Sequence, residues 1–182
     1  MEIIKTNLSG VLIIKPKLFE DSRGYFFESF NLKNYQEAGL NFNFVQDNIS
    51  KSQKGTIRGL HYQVGKKVQG KICYILFGNV LDVAVDIRFN SPTFGKYHSE
   101  ELSAENHKQL WIPPGFAHGF SVLSDFAIFA YKCTDYYSKE HERAILYSDP
   151  ELNIDWKVES PMVSEKDKLA IPLNKIEKDF IY

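Results

Sequence analysis

The stretch Gly70-Lys71-Ile72-Cys73-Tyr74-Ile75-Leu76-Phe77-Gly78-Asn79-Val80-Leu81-Asp82-Val83-Ala84-Val85-Asp86-Ile87 carries the clearest signal in the sequence. Lys71 to Phe77 is almost continuously apolar, as a strand covered on both faces is. After the turn pair Gly78-Asn79, the apolar residues Leu81, Val83, Val85 and Ile87 alternate with Asp82, Ala84 and Asp86. That alternation is the side-chain period of a strand. The run predicts a β-hairpin with one core face.

The same signature recurs outward from this point. Upstream, Val11 to Ile14 reads as a strand stopped at Pro16, and Phe19 to Gly24 as a polar turn. Tyr25 to Phe30 reads as a second strand, with Phe26 and Glu28 on one face. Leu32 to Ala38, closed by Gly39, is the best helix candidate. Phe42 to Ser50 is extended, and there Gln46 and Asn48 share a face. Downstream, Phe116, His118 and Phe120 alternate with Ala117, Gly119 and Ser121. Ala127 to Cys133 follows, with Phe129, Tyr131 and Cys133 on one face. Short strands with turns every ~8–12 residues predict an all-β sandwich or double-sheet jelly roll. The tail from Asp149, punctuated by Pro150, Pro161 and Pro172, is expected to wrap it with short helices.

With 182 residues, the expectation is one domain spanning 1–182. Fourteen Phe and ten Tyr suit pleated, half-buried surfaces. A net charge of −1 without a basic block gives no reason to expect nucleic acid or an anionic membrane as partner. Cys73 and Cys133 lie in apolar runs without Cys-x-x-Cys spacing, which predicts buried free thiols in a reducing cytosol. No basic segment followed by an apolar run opens the chain, and no apolar run approaches ~18 residues. The expected location is the cytoplasm.

Chemistry concentrates in Thr56-Ile57-Arg58-Gly59-Leu60-His61-Tyr62-Gln63. Strict alternation puts His61 on the face of Ile57 and Gly59, with Arg58 opposite. Both reach one pocket only if Gly59 breaks the alternation, as a glycine at a bulge does. A half-buried histidine that bonds its neighbours is the plainer alternative. Pro113-Pro114-Gly115-Phe116-Ala117-His118 resembles half of the cupin superfamily pattern. Metal-binding cupins add His-x-His and a carboxylate. None of the five histidines here stands at that spacing, and Gln63 occupies the second position. A tight divalent site needs three or four converging ligands. The expectation is a metal-free barrel.

Several stretches in order carry a wider resemblance. They are Arg58 to Gln63, Gln69-Gly70-Lys71, Asp82 to Arg88 and Ser91-Pro92-Thr93-Phe94-Gly95. Leu102 to Asn106, Gln109 to Phe120 and Tyr131 to Tyr137 complete the set. Together, from about Val11 to Asp167, the chain resembles the dTDP-4-dehydrorhamnose 3,5-epimerases. The resemblance implies a cupin-type jelly-roll homodimer that uses neither cofactor nor metal. The implied substrate is dTDP-4-dehydro-6-deoxy-D-glucose, epimerised at the two carbons flanking its C4 ketone. A single-site epimerase or a 3,4-ketoisomerase acting on a related sugar is the alternative.

By the same resemblance His61 is the base, Asp167 its carboxylate partner, Tyr131 the acid and Lys71 the partner of the enolate oxygen. Imidazole is mostly neutral and able to accept a proton at neutral pH, whereas a phenol is protonated there. Arg23 and Arg58 are the cations for the diphosphate. Glu28, Gln46 and Asn48 match nucleotide-holding positions, and Phe26 or Tyr137 is placed to stack on thymine. His118, Glu142 and Lys166 match further substrate contacts. The segment Arg23 to Glu28 is expected to reach into the neighbouring subunit's site. Read without the family, Asp167 is equally a surface acid, Tyr131 a core tyrosine, Lys71 an edge lysine and Arg23 a solvated arginine. The chain departs from the family at Val64 to Lys67, which lacks the prolines common in this loop. It departs also at Tyr74, where arginine is usual, and Tyr147, where tryptophan is usual.

Overall fold

The computed structural model describes residues 1–182. In chain order come β1 (Glu2–Lys5), β2 (Leu12–Lys15), β3 (Phe19–Asp21), β4 (Gly24–Phe26), α1 (Leu32–Glu37), β5 (Gln46–Gln53) and β6 (Thr56–Gln63). Then follow β7 (Lys71–Phe77), β8 (Asn79–Asp86), β9 (Tyr97–Ser103), β10 (Gln109–Ile112), β11 (Phe116–Val122) and β12 (Phe126–Cys133). The tail adds β13 (Glu142–Ala144), β14 (Met162–Val163) and α2 (Glu165–Lys168). No helix is long and apolar enough to cross a membrane.

The strands form two six-stranded sheets. The first runs β1-β2-β10-β7-β12-β5, the second β13-β6-β11-β8-β9, with β14 parallel to the start of β6. This is the all-β jelly roll with few short helices that the strand spacing predicted. Cys73, Ile75, Ala84, Phe116, Phe120 and Phe129 pack between the sheets. The outer face of the first sheet buries Ile14, Ile72 and Trp111 under Tyr35 and Leu40. The outer face of the second buries Ile57, Leu60, Val83 and Val85 under the tail residues Leu152, Trp156, Leu173 and Ile176. Each such aliphatic side chain contributes about 1.5–3 kcal/mol when buried, which is why a proline-rich tail stays docked.

The expected hairpin is not one. β7 pairs with β10 and β12, whereas β8 pairs with β11 and β9. Gly78 alone separates them, at φ +78°, and carries the chain from one sheet to the other. A two-residue hairpin turn would keep both strands in one sheet, but Gly78 with a Cβ would overlap the Phe126 carbonyl. β8 therefore has two buried faces rather than one: Val83 and Val85 under the tail, Ala84 and Asp82 inside. The fully buried Asp86 is satisfied by Arg88 Nε at 2.8 Å and by the Ser91 and Thr93 hydroxyls at 2.6 Å each. Conversely β7 is covered on both faces only as far as Ile75; Leu76 and Phe77 are exposed. The strand expected over Tyr25 to Phe30 is confined to Gly24–Phe26, paired with Phe19–Asp21 in a separate hairpin.

Gly59 breaks the alternation of β6 as the shared pocket required. Ile57, Leu60 and Tyr62 face the tail-covered cluster, while Arg58 and His61 both face inward. The register against β11 slips between His118 and Phe120, opposite this point. Gly59 sits at φ +128°, and a Cβ would lie 2.5 Å from the Gly119 Cα and 2.8 Å from the His118 carbonyl oxygen. Only glycine fits. Gly59→Ala combines a left-handed backbone with a backbone overlap, so it should lower unfolding free energy by ~3 kcal/mol or more. A urea melt that moved by less than ~1 kcal/mol would contradict this reading of the bulge.

Candidate active site

The bulge aims its side chains into a cavity of about 790 Å³ lined from both sheets and from the tail. His61 and Arg58 enter from β6, His118 and Phe120 from β11, Lys71 from β7, Tyr131 and Phe129 from β12, and Asn48 from β5. An adjoining lobe of about 230 Å³ shares Asn48, His61, Lys71 and Tyr131 and adds Gln46, Tyr137 and Glu142. The imidazole and the phenol thus come from opposite sheets into one space.

Asp167 reaches His61 because the tail returns along β6. Met162 and Val163 pair in parallel with Thr56 and Ile57, and Ser164 then caps α2 by accepting the Asp167 N–H. Asp167 Oδ1 lies 2.7 Å from His61 Nε2, and Oδ2 accepts the Gly59 N–H at 3.3 Å. With Nε2 committed, Nδ1 is the nitrogen left for a ligand. Asp167 is only 3% exposed. Burial works to raise its pKa, but the bonds and charge of His61 and the Gly59 N–H outweigh that and hold it below the ordinary carboxylate value. A lowered folded pKa adds stability that is fully present above the unfolded value of about 3.9. It is lost as pH falls through the folded value. Asp167→Asn should therefore flatten the loss of stability below pH ~4. Unchanged acid unfolding curves would show that the pair does not contribute.

The charges around the cavity are unequal in their partners. Asp47 pairs with Lys132 at 2.8 Å, Asp167 with His61, and Glu142 with Lys166. Arg58 has only the Ser52 hydroxyl, at 3.0 Å from its Nε. Lys71 Nζ has no ion pair and sits 5.9 Å from the Tyr131 ring centroid. Two cations without carboxylate partners make the cavity a place for an anion, since an opposite charge in a partly desolvated site is strongly favoured. Burial, with the nearby Cys133 and Cys73 thiols, pushes the Tyr131 phenol up to about 12. It carries its proton at neutral pH. His118 is 7% exposed and its Nε2 lies 2.5 Å from Asp82 Oδ1. Burial holds its pKa below the ordinary imidazole value against the pull of Asp82.

Of the residues singled out in the sequence, His61, Asp167, Tyr131, Lys71, Arg58, Asn48, His118 and Lys166 line the main cavity. Gln46, Tyr137 and Glu142 line the lobe, where Gln46 Nε2 donates to Asn48 Oδ1 at 2.9 Å and Tyr137 Oη to Glu142 Oε2 at 2.9 Å. Glu142 and Lys166, read as separate substrate contacts, bond each other. Arg23, Phe26 and Glu28 do not enter the cavity of their own chain. Arg23 is exposed and paired with Asp21, Phe26 is 66% exposed, and Glu28 accepts from the Asn31 and Asn34 side chains at 2.8 and 3.0 Å. Tyr74 and Tyr147 line neither space and pack in the outer clusters. Asp82 was missed as the partner of His118, because it reads as one polar step of an alternating strand. The pairing of β11 with β8 is what brings it there.

The sequence profile described as dTDP-4-dehydrorhamnose 3,5-epimerase matches residues 5–175. The dTDP-4-dehydrorhamnose 3,5-epimerase of Shigella flexneri is 58% identical over 168 residues, 92% of this chain and 93% of that one. The dTDP-6-deoxy-D-glucose-3,5-epimerase of Legionella pneumophila, solved with dTDP-4-keto-L-rhamnose, superposes with a TM-score of 0.95. It is 53% identical and covers 100% of this chain and 98% of that chain. A 3'-monoepimerase of Streptomyces bikiniensis, solved with dTDP-quinovose, superposes at 0.87 with 31% identity, covering 93% of this chain and 86% of that one. These matches run almost end to end over the residues that build the cavity, and the chain belongs to the dTDP-4-dehydrorhamnose 3,5-epimerase family.

Proposed function

We propose that this protein converts dTDP-4-dehydro-6-deoxy-D-glucose to dTDP-4-dehydro-L-rhamnose by proton transfer at C3 and C5. The observation that carries the mechanism is the buried Asp167 fixed on His61 in a cavity that Tyr131 enters from the facing sheet. The ketone at C4 acidifies both neighbouring carbons. His61 Nδ1 takes a proton from one of them, and the C–H pair moves into the ring as an enolate. Asp167 stabilises the imidazolium and keeps the ring aimed. Lys71, unpaired beside the phenol, faces the oxygen where negative charge grows. Tyr131 gives its proton to the carbon from the other face, which inverts the centre. Solvent then reloads the phenol and takes the proton from His61. A phenol held near 12 is a weak acid, but an enolate carbon is a far stronger base, so the transfer runs forward.

Arg58 is the cation of this chain for the diphosphate. Gln46, Asn48 and Tyr137 border the lobe that the nucleoside would fill. In this reading the exposed hairpin with Arg23, Phe26 and Glu28 serves the site of a second subunit in a homodimer. Its exposed aromatic rings support that, with Phe19 at 53% and Tyr25 at 57%. The whole chain then acts as one domain in the cytoplasm, where its unpaired thiols stay reduced.

The test is product analysis by NMR after turnover in deuterated water. Deuterium at both C3 and C5 in a rhamno-configured product is the expected result. Deuterium at one carbon would make the protein a monoepimerase, like its Streptomyces bikiniensis relative. A ketone moved to C3 would make it a ketoisomerase.

A further inference from the structure

We infer that Gln63 is a positioning residue of this site. It clamps the loop that carries Tyr137 at the nucleotide lobe, and so sets affinity for the nucleoside end of the substrate. The inference rests on the nucleotide reading of that lobe. Gln63 ends β6, is 5% exposed, and borders the lobe. Its Nε2 donates to the Ser138 carbonyl at 3.1 Å, and its Oε1 accepts the Ser138 N–H at 3.0 Å. One carboxamide thus meets both backbone groups of one residue, as a residue of an antiparallel strand does. A single N–H of Gln63 is left over, so its polar atoms hold the loop rather than the ligand.

Residues 134–141 cross from β12 in the first sheet to β13 in the second, and no strand ladder covers them. Their backbone groups must find partners elsewhere. At the near end the Gly70 N–H donates to Thr134 Oγ1 at 2.8 Å, and Gln69 Nε2 to the Asp135 carbonyl at 2.7 Å. Further along, Gln46 Oε1 accepts the Tyr137 N–H at 2.9 Å. Tyr137 is 52% exposed, and its hydroxyl bonds Glu142. A ring with so little packing takes its direction from the backbone at 137 and 138. Gln46 matches a nucleotide contact, so Gln63 is the clamp whose effect can be separated from ligand binding itself. Without it the Ser138 N–H loses its partner, while the Ser138 carbonyl keeps the His141 N–H. The loop then leaves its seat for part of the time. Apparent affinity falls in proportion to the share of protein with Tyr137 in place. Asp167 holds His61, and the sheets carry Tyr131 and Lys71, so the proton transfers are spared.

Gln63→Met fills similar space without the two hydrogen bonds. Calorimetric titration with dTDP should show affinity weaker by ~10–100-fold. KM should rise by the same factor while kcat stays within ~3-fold, the pattern of lost uniform binding. Tyr137→Ala is the second variant. Because Gln63 acts through Tyr137, adding Gln63→Met to Tyr137→Ala should weaken dTDP binding by less than a further ~2-fold. Additive losses, or a fall in kcat with KM unmoved, would overturn the proposal. So would a dTDP affinity that Gln63→Met leaves within ~2-fold. Hydrogen exchange of the unaltered protein tests the clamp without relying on a variant that folds. The Ser138 N–H lies in no strand, yet it should exchange at least ~100-fold more slowly than an unstructured amide. Exchange at the unstructured rate would overturn the clamp. An unaltered protein that does not bind dTDP would sink the nucleotide reading of the lobe, and this inference with it. Binding that ignores Gln63 would sink the inference alone.

Discussion

His61→Ala should lower turnover by about 10²–10⁴, the scale of a positioned general base. That is roughly 2.7–5.5 kcal/mol of barrier. The loss follows from geometry. The cavity's other imidazole, His118, also has a carboxylate behind it, Asp82, but its side chain is 9% exposed against 30% for His61. The substitution has a second effect. It leaves Asp167, 3% exposed, with the Gly59 N–H but without its imidazole. Breaking such a pair costs up to ~3–5 kcal/mol when the remaining charge is fully buried. Here the cost is smaller, because His61 is 30% exposed and water can take its place. His61→Asn separates the two effects, since its amide can still donate toward Asp167. Both variants should also stop exchange of substrate hydrogen with deuterated water. Turnover near that of the unaltered protein would remove His61 from the mechanism.

Tyr131→Phe should do something different. The ring packs edge-on against Phe129, with centroids 5.9 Å apart, and under the Lys71 ammonium. Those contacts survive loss of the hydroxyl, so the fold should hold. The base side remains intact, and His61 can still remove a proton and return one to the same face. Deuterium should therefore wash into the substrate while the inverted product falls by ~10²–10⁴. Chiral analysis of recovered sugar checks this directly. Inversion at the normal rate would mean that another group, or water, donates from that face.

Much of the site was legible in the sequence, for reasons that differ by residue. His61 and Arg58 could share a pocket only through a break at Gly59, and the slip in register opposite Gly59 supplies it. The tail was expected to wrap the sheets, but its approach to His61 depends on two residues of parallel pairing, Met162 and Val163 with Thr56 and Ile57. Periodicity says nothing of such long-range contacts. The β7–β8 hairpin failed for a related reason. Alternation shows that a segment is a strand, not which sheet it joins, and Gly78 turns the corner between sheets. Asp82 and Asp86 looked like a solvent face because they are charged. Both are fully buried, one on His118 and one among Arg88, Ser91 and Thr93. Charge marks exposure only where no partner waits inside.

The central claim is that the sugar ring lies between the imidazole of one sheet and the phenol of the other. The most direct measurement is a crystal structure of the protein with a dTDP-hexose bound. The account predicts C3 and C5 within ~3–3.5 Å of the free nitrogen of His61, with Tyr131 on the opposite face of the ring. A sugar seated away from His61, or both side chains on one face of it, would contradict the account.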